Sequence, residues 1–234
     1  MFNVTYHTRY GDYKDFDTIK VGSVLDFIQD VSTKDSASRG YGIHELRAMG
    51  AAWLLQGITL HFEKPVSTLY PVDAYTAVKS TKGVTSERGC VLKQNGETVA
   101  KSIASWFLFD IANGTFRRID TRMASAYPLH NFEDDFFTYK KPATYNFDSY
   151  DYKVKIANKD IDTNLHLNNQ KAADILMDAL PFDFKFNHLN LLYKKQAHLG
   201  DVLEVCTKQT DNGYYVHIQT PEKEICVAGT FENI

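Results

Sequence analysis

In the stretch "KDIDTNLHLNN", Asp162, Asn164 and His166 stand at every second position. A carboxylate can orient or take up a proton, an amide can donate to a developing negative charge, and an imidazole exchanges protons near neutral pH. In an extended segment, residues two apart point the same way, which would gather all three groups on one side. They also lie just ahead of a helix-like run, where backbone N–H groups and the helix dipole favour an anion. Together such groups could stabilise an oxyanion while a proton moves. The plainer alternative is a polar turn. Asn168 or Asn169 is a good helix N-cap, and Asp162 with Thr163 can make a turn. Each residue alone fits that alternative; their combination favours the catalytic reading.

The elements that must hold this loop follow from periodicity. Upstream, "YKVKIAN" alternates as a strand. Downstream, "NNQKAADILMDAL" places Ala172, Ile175, Leu176 and Ala179 on one helix face and stops at Pro181. Strands follow in "LNLLYKKQAH", "DVLEVCTKQ", "YYVHIQ" and "EICVAGTF", with turns at Asp211-Asn212-Gly213 and Pro221-Glu222.

The first half has the same plan at greater length. "VGSVLDFIQDVSTKDSASRG" carries Val21, Val24, Leu25, Ile28 and Val31 at helical spacing, with Gly40 as a stop. After a short amphipathic piece at "IHELRAM", the segments "AAWLLQGITLHFEK", "VDAYTAVKST", "ERGCVLKQ" and "ETVAKSIASWFLFD" read as strands, with Asn95-Gly96 as a hairpin turn. "LHFEKPV" and "LLYKKQA" align without a gap, matching Leu60 with Leu191, Phe62 with Tyr193 and Lys64 with Lys195. Two copies of one α+β unit are therefore expected: residues 1–121 and 152–234, joined by an aromatic, proline-bearing linker over 122–151. A long helix followed by antiparallel strands buries its apolar stripe best inside a curved sheet, so each copy is predicted as a hot-dog unit. The first copy has "DFDTIKVGSV" ahead of its helix and lacks Asn164 and His166, so one active site is expected.

Composition narrows the function classes. At 44% hydrophobic and 24% charged residues, the chain reads as an ordered globular protein. A net charge of −3 with both signs interspersed argues against a general nucleic-acid binder. The N-terminus lacks an apolar h-region, and no run approaches the roughly 18 apolar residues of a membrane span. Cys90, Cys206 and Cys226 form no CxxC pair and suit reduced packing residues in a cytoplasmic chain. No metal-ligand cluster, glycine-rich phosphate loop or Gly-x-Ser-x-Gly elbow is present.

The Asp-x-Asn-x-His-hydrophobic-Asn-Asn pattern of "DTNLHLNN", between a strand and a helix, resembles the acyl-acyl-carrier-protein thioesterases of plant and bacterial fatty-acid metabolism. The resemblance spans nearly the whole chain, including "LYKKQAHLGDVL". It implies catalytic roles for Asp162, Asn164 and His166. A fourth position, where the family often has Glu followed in plant members by Cys, reads here Gln196 and Ala197. Gln196 can orient but cannot take up a proton at neutral pH. The implied reaction is attack of water on a fatty acyl thioester, with amides at the helix start holding the oxyanion and no cofactor. The implied partner is an acidic acyl carrier protein bearing the acyl chain on 4′-phosphopantetheine; a homodimer is left open. Lys153, Lys155, Lys159, Lys194 and Lys195 would form its docking patch, and Trp53, Leu55, Ile58, Trp106, Phe107 and the first helix would line the acyl slot. Rival readings are an acyl-CoA thioesterase, a hot-dog dehydratase or hydratase, and a non-catalytic acyl-binding module.

Overall fold

The helical spacing of Val24, Leu25, Ile28 and Val31 is realised in a helix, Val21–Ser38, on which all four are buried. Gly40 ends the segment at φ +80°, a left-handed conformation that glycine adopts without a Cβ penalty. The computed structural model describes residues 1–132, 137–162 and 164–234, divided into units Met1–Tyr139 and Lys140–Ile234. Thr163, half of one expected turn, and residues 133–136 of the expected linker lie outside the described residues.

In the first unit, β1 (Phe2–Tyr6) precedes α1 (Val21–Ser38) and α2 (Ile43–Ala48). The strands β2 (Ala51–Phe62), β3 (Val72–Lys82), β4 (Thr85–Gln94), β5 (Glu97–Asp110) and β6 (Thr115–Phe116) follow, then α3 (Thr121–Ala126). The sheet runs β1-β3-β4-β5-β2, antiparallel throughout, with β6 on β5. Asn95 and Gly96 take φ +52° and +81° at the β4–β5 hairpin, and Gln94 pairs with Glu97. Helix α1 packs on β1 and β3. Three elements escaped the sequence reading. β1 and β6 are short edge pieces. α3 is a six-residue helix, too short to display a period, started by the Asp120 carboxylate accepting the Met123 N–H at 2.8 Å.

The second unit is built from β7 (Tyr152–Lys155), α4 (Asn169–Asp178), β8 (His188–Tyr193), β9 (Val202–Thr210), β10 (Gly213–Gln219) and β11 (Ile225–Glu232). Its order, β7-β9-β10-β11-β8, repeats the first unit strand for strand. The helix again falls between the first and second strands in sequence. Both units are antiparallel hot-dog units, so the fold is α+β in tandem. Helix α4 packs on β10 and β11 through Ala172, Ala173 and Leu176, and a Cβ at Gly229 of β11 would come within 3.3 Å of Leu176.

Phe132, Tyr145 and Phe147 cover neighbouring residues of the two units' sheets. Phe132 lies over Gly89, where a Cβ would approach its ring to 2.4 Å. Tyr145 and Phe147 pack on the Tyr215 and His217 rings. His217 is fully buried, with Nδ1 3.0 Å from the Tyr215 hydroxyl. Burial pushes its imidazole down to about 4, against an opposing interaction with the Gln219 side chain. The unfolded chain, with histidine near 6.5, therefore binds the proton more readily than the native state. Stability is complete above about pH 6.5 and is lost as pH falls towards 4. By pH 5 the loss from this group is about 2 kcal/mol. Denaturant midpoints at pH 7.5 and 5 should thus separate clearly in the wild type and much less in His217→Gln. Equal pH dependence in both proteins would rule out His217 as the source.

Candidate active site

A short 3-10 turn, Asn158–Asp160, opens the loop ahead of α4. The Asp160 carboxylate accepts the Ala157 N–H at 2.9 Å, and the Asp160 carbonyl accepts the Asn168 N–H at 2.8 Å. Both ends of the loop are thereby tied to one residue. Within it, the Asp162 N–H donates to the His166 carbonyl at 2.8 Å and the Leu165 N–H to the Asp162 carbonyl at 3.1 Å. The segment is therefore not extended, and the alternate-residue argument for a shared face fails. Instead, Asp162 Oδ1 accepts the backbone N–H of Asn164 at 2.7 Å and of His166 at 3.2 Å. That carboxylate shapes the loop. Leu165 sits at φ +65° and is 73% exposed. A branched residue in this conformation costs on the order of 1 kcal/mol, which the Asp162 hydrogen bonds offset.

The helix start differs from expectation too. Asn168 is the N-cap, and its Oδ1 takes the N–H groups of Gln170 at 2.8 Å and Lys171 at 3.3 Å. Two amides expected to hold an oxyanion are already engaged. Asn164, exposed at the loop tip, remains as the amide donor.

Opposite the loop runs the connection after β8. Gln196 was expected on that strand, but β8 ends at Tyr193 and Gln196 is exposed in the bend beyond it. The connection is held in place by the Leu167 N–H donating to the Ala197 carbonyl at 2.8 Å and by an antiparallel bridge between His166 and His198. This brings Gln196 alongside the loop. Among the described residues, no side-chain hydrogen bond joins Asn164, His166 and Gln196.

His166 is half-buried, and burial lowers its imidazole below the ordinary histidine value. The Asp162 carboxylate opposes that shift and His198 adds to it. At pH 7 the ring is neutral and able to accept a proton. His198 escaped the sequence reading. Its ring centroid is 5.1 Å from that of His166 at 75°, and its signal was a second imidazole two residues after Gln196. Among the described residues, no group of three or more His, Cys, Asp or Glu side chains is placed to hold a metal ion.

The first unit contains the same loop scaffold. Its 3-10 turn, Tyr10–Asp12, ends in an aspartate that accepts the Arg9 N–H at 2.7 Å, as Asp160 accepts that of Ala157. Lys20 N–H to Asp12 carbonyl matches Asn168 to Asp160, Lys14 to Thr18 matches Asp162 to His166, and Ile19 to Val66 matches Leu167 to Ala197. The Thr18–Ser67 bridge matches His166–His198. The structural equivalent of Asp160 is thus Asp12, although "DFDT" and "DIDT" tempt the eye to choose Asp15. Lys14, Phe16, Thr18, Pro65 and Ser67 hold the places of Asp162, Asn164, His166, Gln196 and His198.

Comparison with known proteins agrees with this architecture. The chain matches a 12:0-ACP thioesterase from Umbellularia californica at TM-score 0.86 and 15% identity, over 99% of this chain and 96% of that one. An acyl-ACP thioesterase from Bacteroides thetaiotaomicron matches at TM-score 0.88 and 13% identity, over 98% and 96%. At such identities the likeness establishes the fold. Comparison with curated protein sequences finds no match. The profile of the acyl-ACP thioesterase N-terminal domain matches residues 1–127, and that of the C-terminal domain matches residues 140–229. With both family domains present in order, the chain belongs to the acyl-ACP thioesterase family of thioester hydrolases.

Proposed function

We propose that the loop of the second unit hydrolyses the thioester of fatty acyl-acyl carrier protein and releases the free fatty acid. Water attacks the thioester carbonyl carbon, and His166 accepts the proton. The Asn164 amide donates to the developing oxyanion, while Asp162 fixes the loop through the N–H groups of residues 164 and 166. Gln196 orients the water through its amide. The observation that carries this reading is the twin loop. One hydrogen-bonded scaffold is built twice, and only the second copy carries an acid–base and amide-donor set.

The first unit is proposed to hold the acyl chain. Trp53, Leu55, Ile58 and Trp106 share a sheet face with Leu108, because Trp53 pairs with Leu108, Leu55 with Trp106 and Ile58 with Ala104 across β2 and β5. Leu108 belongs to a buried cluster with Tyr41, Leu46 and Val78. Phe107 points to the opposite face, against Phe116, and does not join that wall. A cytoplasmic setting suits Cys90, Cys206 and Cys226, all buried free thiols. Among the described residues, no helix is long and apolar enough to cross a membrane.

The test is a turnover panel of acyl-carrier-protein and acyl-CoA thioesters across chain lengths. Preference for the carrier protein supports the proposal. Preference for CoA, hydration of an enoyl thioester, or binding with no turnover would replace it with the corresponding rival.

Docking of an acidic carrier calls for unpaired cations. Lys153 pairs with Glu204 at 3.7 Å and lies over the Tyr150 ring, and Lys195 pairs with Glu224. Lys155, Lys159 and Lys194 are exposed and have no ion-pair partner among the described residues. Replacing Lys155 and Lys159 together with Glu should raise KM for acyl-carrier-protein substrate about tenfold. The effect should shrink as salt screens it. A short neutral thioester should be hydrolysed as before. Equal impairment on both substrates would assign these lysines to supporting the loop.

A further inference from the structure

The loop scaffold sets residue 198 opposite residue 166, as its twin sets Ser67 opposite Thr18. Where the first unit has two hydroxyls, the second has two imidazoles with ring centroids 5.1 Å apart. His198 is 59% exposed at its side chain, whereas His166 is half-buried. Asp201 Oδ2 accepts the His198 backbone N–H at 2.8 Å and lies 3.8 Å from Nδ1, so a carboxylate faces any charge on that ring. Of the loop's own acids, Asp160 accepts the Ala157 N–H and Asp162 spends Oδ1 on two backbone N–H groups. Gln196, beside the pair, cannot carry a proton.

We propose that His198 is a second catalytic residue of this site, the acid that protonates the departing sulfur. The inference rests on the reading of His166 as the base. Hydrolysis needs two proton movements. His166 takes one from the attacking water as the C–O bond forms. When the tetrahedral intermediate collapses, the C–S bond breaks, its electron pair goes to sulfur, and sulfur takes a proton from the His198 imidazolium. Passage of the His166 proton across to His198 then restores both rings, and the carboxylic acid product ionises to solvent. Two adjacent imidazoles suit this division, since proton transfer between like groups is nearly balanced in energy.

A leaving-group comparison separates this role from packing. An alkyl thiol, with pKa near 8.5 or above, benefits from a proton as it leaves, whereas an aromatic nitrothiol departs readily as the thiolate. His198→Gln and His198→Phe, the latter keeping the ring-on-ring contact, should lower kcat on an acyl-pantetheine thioester about a hundredfold with KM little changed. Both should hydrolyse the acyl 4-nitrothiophenyl ester at close to the wild-type rate. His166→Ala should fail on both substrates. If the His198 variants lose equally on both esters, or His198→Phe is fully active on the alkyl thioester, His198 is structural and the inference falls while the His166 reading stands. A fully active His166→Ala enzyme overturns both.

Discussion

His166→Ala is expected to lower kcat by about a hundredfold to ten-thousandfold, the range a positioned acid–base group contributes. The ring is the half-buried one of the imidazole pair and is set in the loop by its own backbone. Its N–H donates to Asp162, its carbonyl accepts from Asp162, and it bridges to residue 198. Burial keeps it neutral at pH 7. For the wild type, kcat should therefore decline on the acid side as pH falls through a value below the ordinary 6.5. Steady-state hydrolysis of one acyl thioester by both proteins, between pH 5 and 9, measures both effects. Retention of more than about a tenth of the wild-type kcat in the variant would lie outside what a general base permits.

Replacing Asp162 separates loop-holding from proton transfer. Asp162→Ala removes the acceptor for the Asn164 and His166 N–H groups and frees Leu165 from its left-handed conformation. The loop should then lose the geometry that aims Asn164 and His166. Misplacement of that kind costs on the order of a hundredfold in kcat. Asp162→Asn keeps an oxygen at the same place and cannot serve as a base, so it should retain most of the activity. An Asn variant as inactive as the Ala variant would make the carboxylate charge itself part of the chemistry. The pair of rates, with circular dichroism to verify folding, decides between the two roles.

Much of the architecture could be read along the chain because it depends on local periods. The 3.6-residue spacing of Val24, Leu25, Ile28 and Val31 marks α1, and Asn95-Gly96 marks a hairpin through its tolerance of positive φ. The tandem repeat was also legible, since "LHFEKPV" and "LLYKKQA" end equivalent strands at Phe62 and Tyr193. Elements whose stability comes from partners distant in sequence were not legible. β1 acquires its strand identity from pairing with β3, some seventy residues later, with Phe2 against Thr76.

For the site, residue types singled out Asp162, Asn164 and His166, because carboxylate, amide and imidazole together suggest acid–base chemistry wherever the backbone goes; Gln196 was added by the family resemblance. What those groups face is a property of the folded chain. A hydrogen bond from Asp162 N–H to the His166 carbonyl converts an apparently extended run into a closed loop and turns the Asp162 carboxylate onto backbone N–H groups. A second hydrogen bond, from Leu167 to Ala197, spans thirty residues of sequence and sets His198 against His166. Side-chain chemistry is written one residue at a time, so the sequence alone identified Asp162, Asn164 and His166 as candidates. Which of them meet was decided by long-range backbone pairing, which depends on the register of segments that no local pattern specifies.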